Sequence, residues 1–287
     1  MRRHLRGYFL YFRPNTLRDA VQVLANSDGQ ILAGGTDVFP AQGDRPGNGT
    51  IVDISALNEL RGISSDEHHY RIGGLTTWTD VALTPLPRCF DALKAAACEI
   101  GGVQIQNRGT VAGNLCNASP AADGVPPLLA LDAEVELISQ TGTRRLALAD
   151  FIVGNRKTLR QRGEIVSQVL VPRSIENASS AFLKLGARHY LVISIAMVAV
   201  VLQKDREGRV ADVRVSVGSC SAVAKRLRTL EQRLVGAVAT PGLGRLVSAE
   251  HLEGLTPISD VRAPDDYRRY AALVLVRRAL DACAGRV

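Results

Sequence analysis

Ala33-Gly34-Gly35-Thr36-Asp37 and Thr110-Val111-Ala112-Gly113-Asn114 are two short runs of small residues, each of which follows a strand-like segment. Glycine adopts backbone angles that other residues avoid and has no side chain, so main-chain N–H groups in the first run can converge on an anion. Thr36 and Asn114 add side-chain donors beside these amides. Together the runs predict a phosphate cradle divided between two segments, although either run alone is more typical of a tight turn.

Length and composition bound the class of protein. The chain has 287 residues, of which 46% are hydrophobic, and this predicts a globular protein with two compact units. The apolar stretch after the basic N-terminus runs only from Tyr8 to Phe12, which is too short for a signal-peptide core. The longest apolar run, Leu191–Leu202, is too short for a membrane span and predicts a buried strand or helix. We therefore expect a cytoplasmic protein that does not contact a membrane.

Cysteine spacing and charge exclude further classes. The five cysteines are scattered, with no C-x-x-C pair and no Cys/His cluster, so the sequence predicts neither a disulfide framework nor a metal or iron–sulfur site. Cys116 follows the second run, and we expect a buried, inert thiol there. The net charge is +7, mostly from residues 174–287. Because no aromatic residues interleave with these arginines, the charge favours a solvated face or a subunit-docking surface over a nucleic-acid site.

Hydrophobic periodicity in residues 1–173 alternates between helical and strand patterns. A helix is predicted to open at Asn15 or Thr16 and to end at Ser27-Asp28-Gly29. A Gly/Pro/Asn-rich connector precedes the strand pattern that begins at Thr50. Strand patterns occupy Gln30–Ala33, Thr50–Ile54, Tyr70–Ile72, Val103–Asn107 and Ala133–Ile138. Helical patterns occupy Phe90–Ile100 and Val125–Leu131. The first small-residue run therefore lies at a strand end within an α/β unit.

The composition changes after Val171-Pro172-Arg173, and the polar segment Ser174–Ser180 predicts an interdomain linker. Beyond it, strands are predicted at Ala181–Leu185 and Val210–Val217, and helices at Ala222–Leu234 and Asp266–Ala282. In the strand predicted at Val210–Val217, one face is expected to carry Val213, Val215 and Val217. In the last helix one apolar stripe is expected to contain Tyr267, Tyr270, Ala271 and Val274.

Several common catalytic signatures are absent from the sequence. It contains no G-x-G-x-x-G, no P-loop, no H-E-x-x-H and no G-x-S-x-G motif. No histidine has a convincing acidic partner, so we predict no catalytic residue and no metal ligand in this chain. A set of donors large enough for a dinucleotide remains, which is typical of a protein that leaves the chemistry to a cofactor.

The segments Ile31–Val38, Ile51–Ile54, Gln106–Asn117 and Ala118–Asp123 resemble the FAD-binding medium subunit of molybdenum hydroxylases, the xanthine dehydrogenase and carbon monoxide dehydrogenase group. The resemblance extends in order over nearly the whole chain. It implies an α+β fold with a two-lobed FAD-binding domain of the PCMH or vanillyl-alcohol-oxidase type at residues 1–173, with lobes at about 1–57 and 58–173. A smaller sheet-and-helix domain of the carbon monoxide dehydrogenase flavoprotein C-terminal type would follow at residues 178–287.

The resemblance also implies which residues bind FAD. They are Ile31, Leu32, Ala33, Gly34, Gly35, Thr36, Asp37, Val38, Ile100, Thr110, Val111, Ala112, Gly113, Asn114, Ser119, Asp123, Val166 and Lys184. The two runs would enclose the pyrophosphate, although Ala112 replaces one of the two glycines that are common in the family. Ile100 would pack on the adenine, and Lys184 would reach the flavin as an uncompensated cation. The alternative for Lys184 is an ordinary solvent-facing strand lysine, and Tyr190 is a further candidate near the ring.

The same resemblance implies a division of labour between subunits. Molybdopterin would belong to a large subunit and [2Fe-2S] clusters to a small subunit, in a dimer of heterotrimers, while this chain passes electrons to an external acceptor such as NAD. Two other functions remain open from the sequence. One is a stand-alone flavin oxidase of the vanillyl-alcohol-oxidase type, and the other is a non-enzymatic nucleotide-binding assembly module.

Overall fold

The computed structural model describes residues 10–42 and 49–285, and the chain begins there with a small parallel sheet. Its elements are β1 (Leu10–Phe12), α1 (Leu17–Asn26), β2 (Gln30–Leu32), α2 (Val38–Gln42) and β3 (Thr50–Asp53). Strand β3 lies between β1 and β2 and is parallel to both. The predicted helix start is confirmed, because Thr16 caps α1 by accepting a hydrogen bond from the N–H of Asp19. The basic N-terminal segment and most of the predicted connector lie outside the described residues.

A five-stranded antiparallel sheet follows, with most helices of this half of the chain. In chain order the elements are β4 (Ile63–Ser65), β5 (His69–Gly73), α3 (Trp78–Leu83), α4 (Asp91–Glu99), α5 (Val103–Gln106), α6 (Val111–Asn117), α7 (Val125–Ala130), β6 (Glu134–Ser139), β7 (Gly142–Ala147), α8 (Leu148–Phe151), β8 (Ile152–Gly154), β9 (Lys157–Thr158) and β10 (Ile165–Pro172). The sheet order is β4-β5-β10-β6-β7, and β8 and β9 form a separate hairpin. Trp78, Phe90 and Phe151 are fully buried in the core of this region.

The third sheet is antiparallel in the order β11-β12-β13-β14. Its elements are β11 (Ser179–Leu185), β12 (Ala196–Lys204), β13 (Val210–Gly218), β14 (Lys225–Arg226), α9 (Arg228–Leu234) and α10 (Asp265–Ala284). Helix α10 packs on one face, and α4 and α7 of the preceding region pack on the other. Because both faces are covered, every residue of β12 from Ala196 to Leu202 is buried, which explains the long apolar run in the sequence.

The predicted linker Ser174–Ser180 is instead part of the packed structure. Ile175 and Ala178 are buried, and the last two residues of the segment already belong to β11. The hydroxyl of Ser180 donates to the carbonyl of Arg88 and accepts from the N–H of Ala92, so this polar side chain is buried with its hydrogen bonds satisfied. Polarity alone therefore did not reveal that this connection packs against the core that the two regions share.

Two secondary-structure predictions are wrong for local reasons. Residues 103–106 form the helical turn α5 instead of a strand, because Gly101 adopts the left-handed region at φ +57° and turns the chain. The helix predicted from residue 222 begins only at Arg228, since Lys225 and Arg226 pair with β13. The second small-residue run is likewise not a loop, because most of it forms the first turn of α6.

The predicted stripe of α10 is wrong for its two tyrosines, although its member Ala271 is buried as predicted. Tyr267 and Tyr270 are exposed, whereas Arg268 is buried together with residues such as Ala271. The Arg268 guanidinium donates to the carbonyl of Ile195 at 2.7 Å and makes an ion pair with Asp260, which precedes the helix. A buried arginine with such partners shifts the buried face of the helix away from the two tyrosines that hydrophobicity alone indicates. Of the helices within residues 10–42 and 49–285, none is both long and apolar enough to span a membrane.

Candidate functional site

The two small-residue runs line one cleft with a volume of about 790 Å³. This volume lies within the usual range of small-molecule sites, roughly 300–1,000 Å³. Thirteen of the eighteen residues predicted from the sequence line it: Ile31, Ala33, Gly34, Gly35, Thr36, Asp37, Val38, Ile100, Thr110, Ala112, Gly113, Asn114 and Val166. The tertiary structure thus gathers residues from separate parts of the chain around one ligand-sized space.

The first run connects β2 to α2 and presents its backbone to the cleft. Gly35 has φ +76°, a left-handed conformation that favours glycine. The N–H groups of Gly34, Gly35 and Thr36 donate to no acceptor among the described residues. These three amides are therefore available to a ligand, as the sequence predicted for an anion cradle.

The two runs contact each other directly at Gly34. A Cβ atom on this residue would lie 2.0 Å from the carbonyl oxygen of Arg108 and 3.1 Å from the Cα of Gly109. The backbone before the second run therefore occupies the space that a side chain at position 34 would need. We expected this glycine to leave room for a ligand, but the structure shows that the room is taken by the other run. The two halves of the cradle form one packed unit.

The second run is the N-terminal turn of α6. The hydroxyl of Thr110 caps this helix by accepting a hydrogen bond from the N–H of Gly113 at 3.0 Å. The N–H of Val111 donates to the carbonyl of Thr76, which ties the run to the loop before α3. The N–H of Ala112, by contrast, donates to no acceptor among the described residues, so the second run offers the cleft one free amide.

The rest of the cleft wall suits a molecule with flat rings and hydroxyl groups. Trp78, Ile100 and Ile105 supply apolar surface. The side-chain oxygen Oδ1 of Asn114 is buried and accepts no hydrogen bond within the described part of the chain, which is costly unless a ligand donates to it. FAD has two ring systems, a diphosphate and several hydroxyl donors, so the residues present fit the cofactor that the sequence resemblance implies.

Three basic residues of the wall were not predicted from the sequence. Arg156, Lys157 and Arg160 lie on or beside the β8–β9 hairpin and line the cleft. Asp37 is the one carboxylate in the described wall, so the side chains lining the cleft carry a net positive charge. The available signal was a pair of adjacent basic residues at a turn, which is also common on ordinary solvated surfaces.

Five predicted residues do not line the cleft. Leu32 and Val111 are buried in the elements that carry the runs, and Ser119, Asp123 and Lys184 lie towards the third sheet. Lys184 is neither uncompensated nor solvent-facing, because its Nζ lies 2.7 Å from Oδ2 of Asp123 and its side chain is only 6% exposed. The hydroxyl of Ser194 donates to Oδ1 of the same carboxylate at 2.5 Å. The predicted charge state of its surroundings is thus wrong in both sequence interpretations, while the contact of Lys184 with FAD stays a prediction.

Burial affects the titration of two groups near the cleft. It raises the pKa of Asp123 above its usual range, and Lys184 opposes this by favouring the ionised carboxylate. Burial also raises the pKa of the Cys116 thiol, which lines the cleft, to about 11. The raised pKa favours a neutral thiol at pH 7, but Cys116 is only partly buried, whereas the sequence predicted a buried one. Tyr190 is 47% exposed and lies next to Gly102.

The fold and the cleft together define a class of protein. A parallel α/β lobe and an antiparallel lobe meet at two glycine-containing segments with free amides, and a third sheet packs against the second lobe. This architecture is that of a two-lobed dinucleotide-binding protein with a C-terminal domain. Residues 5–174 match the family described as the FAD binding domain in molybdopterin dehydrogenase, and residues 180–283 match the CO dehydrogenase flavoprotein C-terminal domain. The chain belongs to this family of flavoprotein subunits.

Individual relatives show the same relationship over most of the chain. A nicotinate dehydrogenase FAD-subunit from Eubacterium barkeri is 35% identical over 81% of this chain and 81% of its own length. A putative xanthine dehydrogenase FAD-binding subunit from Escherichia coli is 33% identical over 94% of both chains. In the structure of reconstituted CO dehydrogenase from Oligotropha carboxidovorans, one chain superposes with a TM-score of 0.89 at 26% identity, covering 99% of this chain and 100% of that one.

These relatives are dehydrogenase subunits, and the chain is accordingly an FAD-binding oxidoreductase subunit of the molybdenum hydroxylase family. The fold class implied by the sequence resemblance is confirmed. The assignment of the eighteen individual residues to FAD stays a prediction.

Proposed function

We propose that this chain carries electrons within a multi-subunit molybdenum hydroxylase. It would take them from [2Fe-2S] clusters of a small subunit and pass them to an external acceptor such as NAD. Substrate oxidation would take place at molybdopterin in a large subunit. The observation that carries the proposal is the cleft itself, in which two packed segments present four unused amides and an unpaired Asn114 oxygen.

The chain's own residues would bind and orient the cofactor. The free amides of the first run and of Ala112 would hold the diphosphate, while Ile100 and Trp78 would flank the rings and exclude water. Asp123 would keep Lys184 in place at the junction with the third sheet. When bound, FAD exchanges electrons singly with iron–sulfur centres and in pairs with a pyridine nucleotide.

The proposal extends to domains and assembly. Residues 1–173 would form the FAD-binding domain, with lobes at about 1–57 and 58–173, and residues 178–287 the C-terminal domain. The complex would be a dimer of heterotrimers in the cytoplasm. Support comes from the two family matches and from relatives described as medium chains, such as that of Hydrogenophaga pseudoflava carbon monoxide dehydrogenase, which is 28% identical.

The test is purification of the native complex followed by measurement of flavin, molybdenum and iron. We expect one FAD per copy of this chain, released on denaturation, and bleaching of the flavin absorbance when NADH is added without oxygen. A chain that contains no flavin and releases no FAD would contradict the proposal. Turnover of an organic substrate by the isolated chain would instead support a stand-alone oxidase. Adenine-nucleotide binding with no photometric reduction would support an assembly module.

A further inference from the structure

The β8–β9 hairpin and the residues after it place three cations beside the cleft, none of which makes a direct ion pair with a described residue. No carboxylate of the described residues lies within ion-pairing distance of Arg156, Lys157 or Arg160. Neighbouring arginines behave differently, because Arg144 pairs with a glutamate at 2.6 Å and Arg162 pairs with an aspartate at 2.8 Å. Unlike these two neighbours, the basic side chains that line the cleft make no direct ion pair with a described residue.

Neutral hydrogen bonds hold two of these cations in place. The Arg156 guanidinium donates to Oδ1 of Asn117 at 2.5 Å, and the Arg160 guanidinium donates to the carbonyls of Gln161 and Glu164 at 3.3 and 2.9 Å. These contacts orient the side chains without a direct ion pair, although the Glu164 carboxylate, which pairs with Arg144, also interacts electrostatically with Arg160. Several positive charges close together in a partly enclosed space favour binding of an anion.

The backbone of the hairpin is strained at one of these residues. Arg156 has φ 54°, a left-handed conformation that residues with a side chain rarely adopt. Its N–H donates to the carbonyl of Ala118 at 2.9 Å, which fixes the turn against the end of α6. A strained residue that is held firmly in a cleft is typical of a ligand-binding position.

We propose that Arg156, Lys157 and Arg160 bind the diphosphate of a dinucleotide in this cleft, in addition to the backbone amides of the two runs. This inference rests on the proposed function. A diphosphate carries two negative charges and several acceptor oxygens, which suit the planar donor face of arginine. Two dinucleotides could supply it, namely bound FAD or a pyridine-nucleotide acceptor.

The experiment uses the full-length chain freed of flavin. The variants Arg156→Gln, Lys157→Gln and Arg160→Gln each remove one charge from the hairpin. Arg162→Gln is the matched control, because Arg162 lies two positions from Arg160 but does not line the cleft. Each protein is titrated with FAD and with riboflavin, which has no phosphate, and the FAD-loaded forms are titrated with NADH.

We expect each hairpin variant to bind FAD or NADH about tenfold more weakly than the wild type does, and to bind riboflavin with unchanged affinity. The loss should shrink at high salt, and the control should bind like the wild type. Weakened FAD binding assigns the site to the flavin diphosphate, whereas weakened NADH binding with unchanged FAD assigns it to the acceptor.

Unchanged affinity for both dinucleotides would overturn the inference, and so would equal losses for FAD and riboflavin, because these indicate a collapsed hairpin. A wild-type chain that binds no FAD would instead contradict the proposed function. NADH would then be titrated into the flavin-free variants, and that titration alone would decide the role of the hairpin.

Discussion

The replacement of Gly34 by alanine tests whether the two small-residue runs act as one unit. The new Cβ would lie 2.0 Å from the Arg108 carbonyl oxygen, whereas an ordinary contact begins at 3.4 Å, so the backbones have to separate by about 1.4 Å. Overpacking of this kind costs about 1–3 kcal/mol, and we expect the upper end because the obstacle is backbone and not a flexible side chain. The donors of the two runs can then no longer reach one diphosphate together.

Two further variants make the magnitude interpretable. In Gly35→Ala the Cβ meets the ring of Phe39 at 2.8 Å, but that side chain is 56% exposed and can move. Its cost is therefore mainly the left-handed backbone, about 1–2 kcal/mol. In Gly254→Ala nothing lies within 4 Å of the new atom, so it controls for the substitution itself. We expect the loss of stability to decrease from Gly34→Ala to Gly35→Ala to Gly254→Ala.

The assays are urea denaturation of the flavin-free chain and titration with FAD. We expect Gly34→Ala to weaken FAD binding by about 10- to 100-fold, which corresponds to the loss of one charge-assisted hydrogen bond or slightly more. A Gly34→Ala protein that matches Gly254→Ala in both assays would refute the idea that the runs must touch. If Gly34→Ala does not fold, the smaller effect of Gly35→Ala on both measurements still tests the reasoning.

Three other predictions concern the titratable groups. Asp123→Asn should lower the free energy of urea unfolding by about 3–5 kcal/mol, because it leaves the buried Lys184 ammonium without its partner. The double variant that also carries Lys184→Met should recover part of this loss. Burial acts to raise the pKa of Glu164, but hydrogen bonds, above all the one from Arg144, hold this pKa below its usual value. The stability that Glu164 contributes is therefore fully present above its pKa in the unfolded chain, and it is lost as the pH falls through its pKa in the folded chain. Arg144→Gln should therefore shift acid unfolding, followed by circular dichroism, to higher pH, and an unchanged transition would contradict this. Cys116 should resist alkylation at pH 8 until the protein is denatured, because its raised pKa keeps the thiol neutral, and rapid labelling of its peptide in mass spectrometry would contradict this.

Much of the fold could be predicted from the sequence, because its signals are local. The helix cap at Thr16 and the apolar alternation of β13 depend on residues close together in the chain, and both are confirmed. The errors occur where a distant partner decides. Arg268 is buried because carbonyls and a carboxylate from other segments receive its guanidinium, and Ser180 is buried because of groups near residue 90. No pattern within a short window contains such partners.

The candidate site, like the fold, could be predicted from the sequence only in part. Local composition identified both small-residue runs, and thirteen of the predicted residues line the cleft. Composition did not reveal the ion pair between Asp123 and Lys184, because a lone lysine in a strand pattern indicates nothing about its partner. It also did not single out Lys157 of the hairpin, since a basic turn is indistinguishable from a solvated surface until its position beside the cleft is known.

By itself the sequence determined the family resemblance, the alternation of the elements and the two runs that suit a dinucleotide. Only the tertiary structure decided that Gly34 packs on the Arg108 backbone, that the third sheet shares a core with the second, and that unpaired cations face the cleft. The physical reason is that backbone periodicity and turn chemistry act over a few residues, whereas close packing and charge compensation depend on atoms that folding brings together from distant positions.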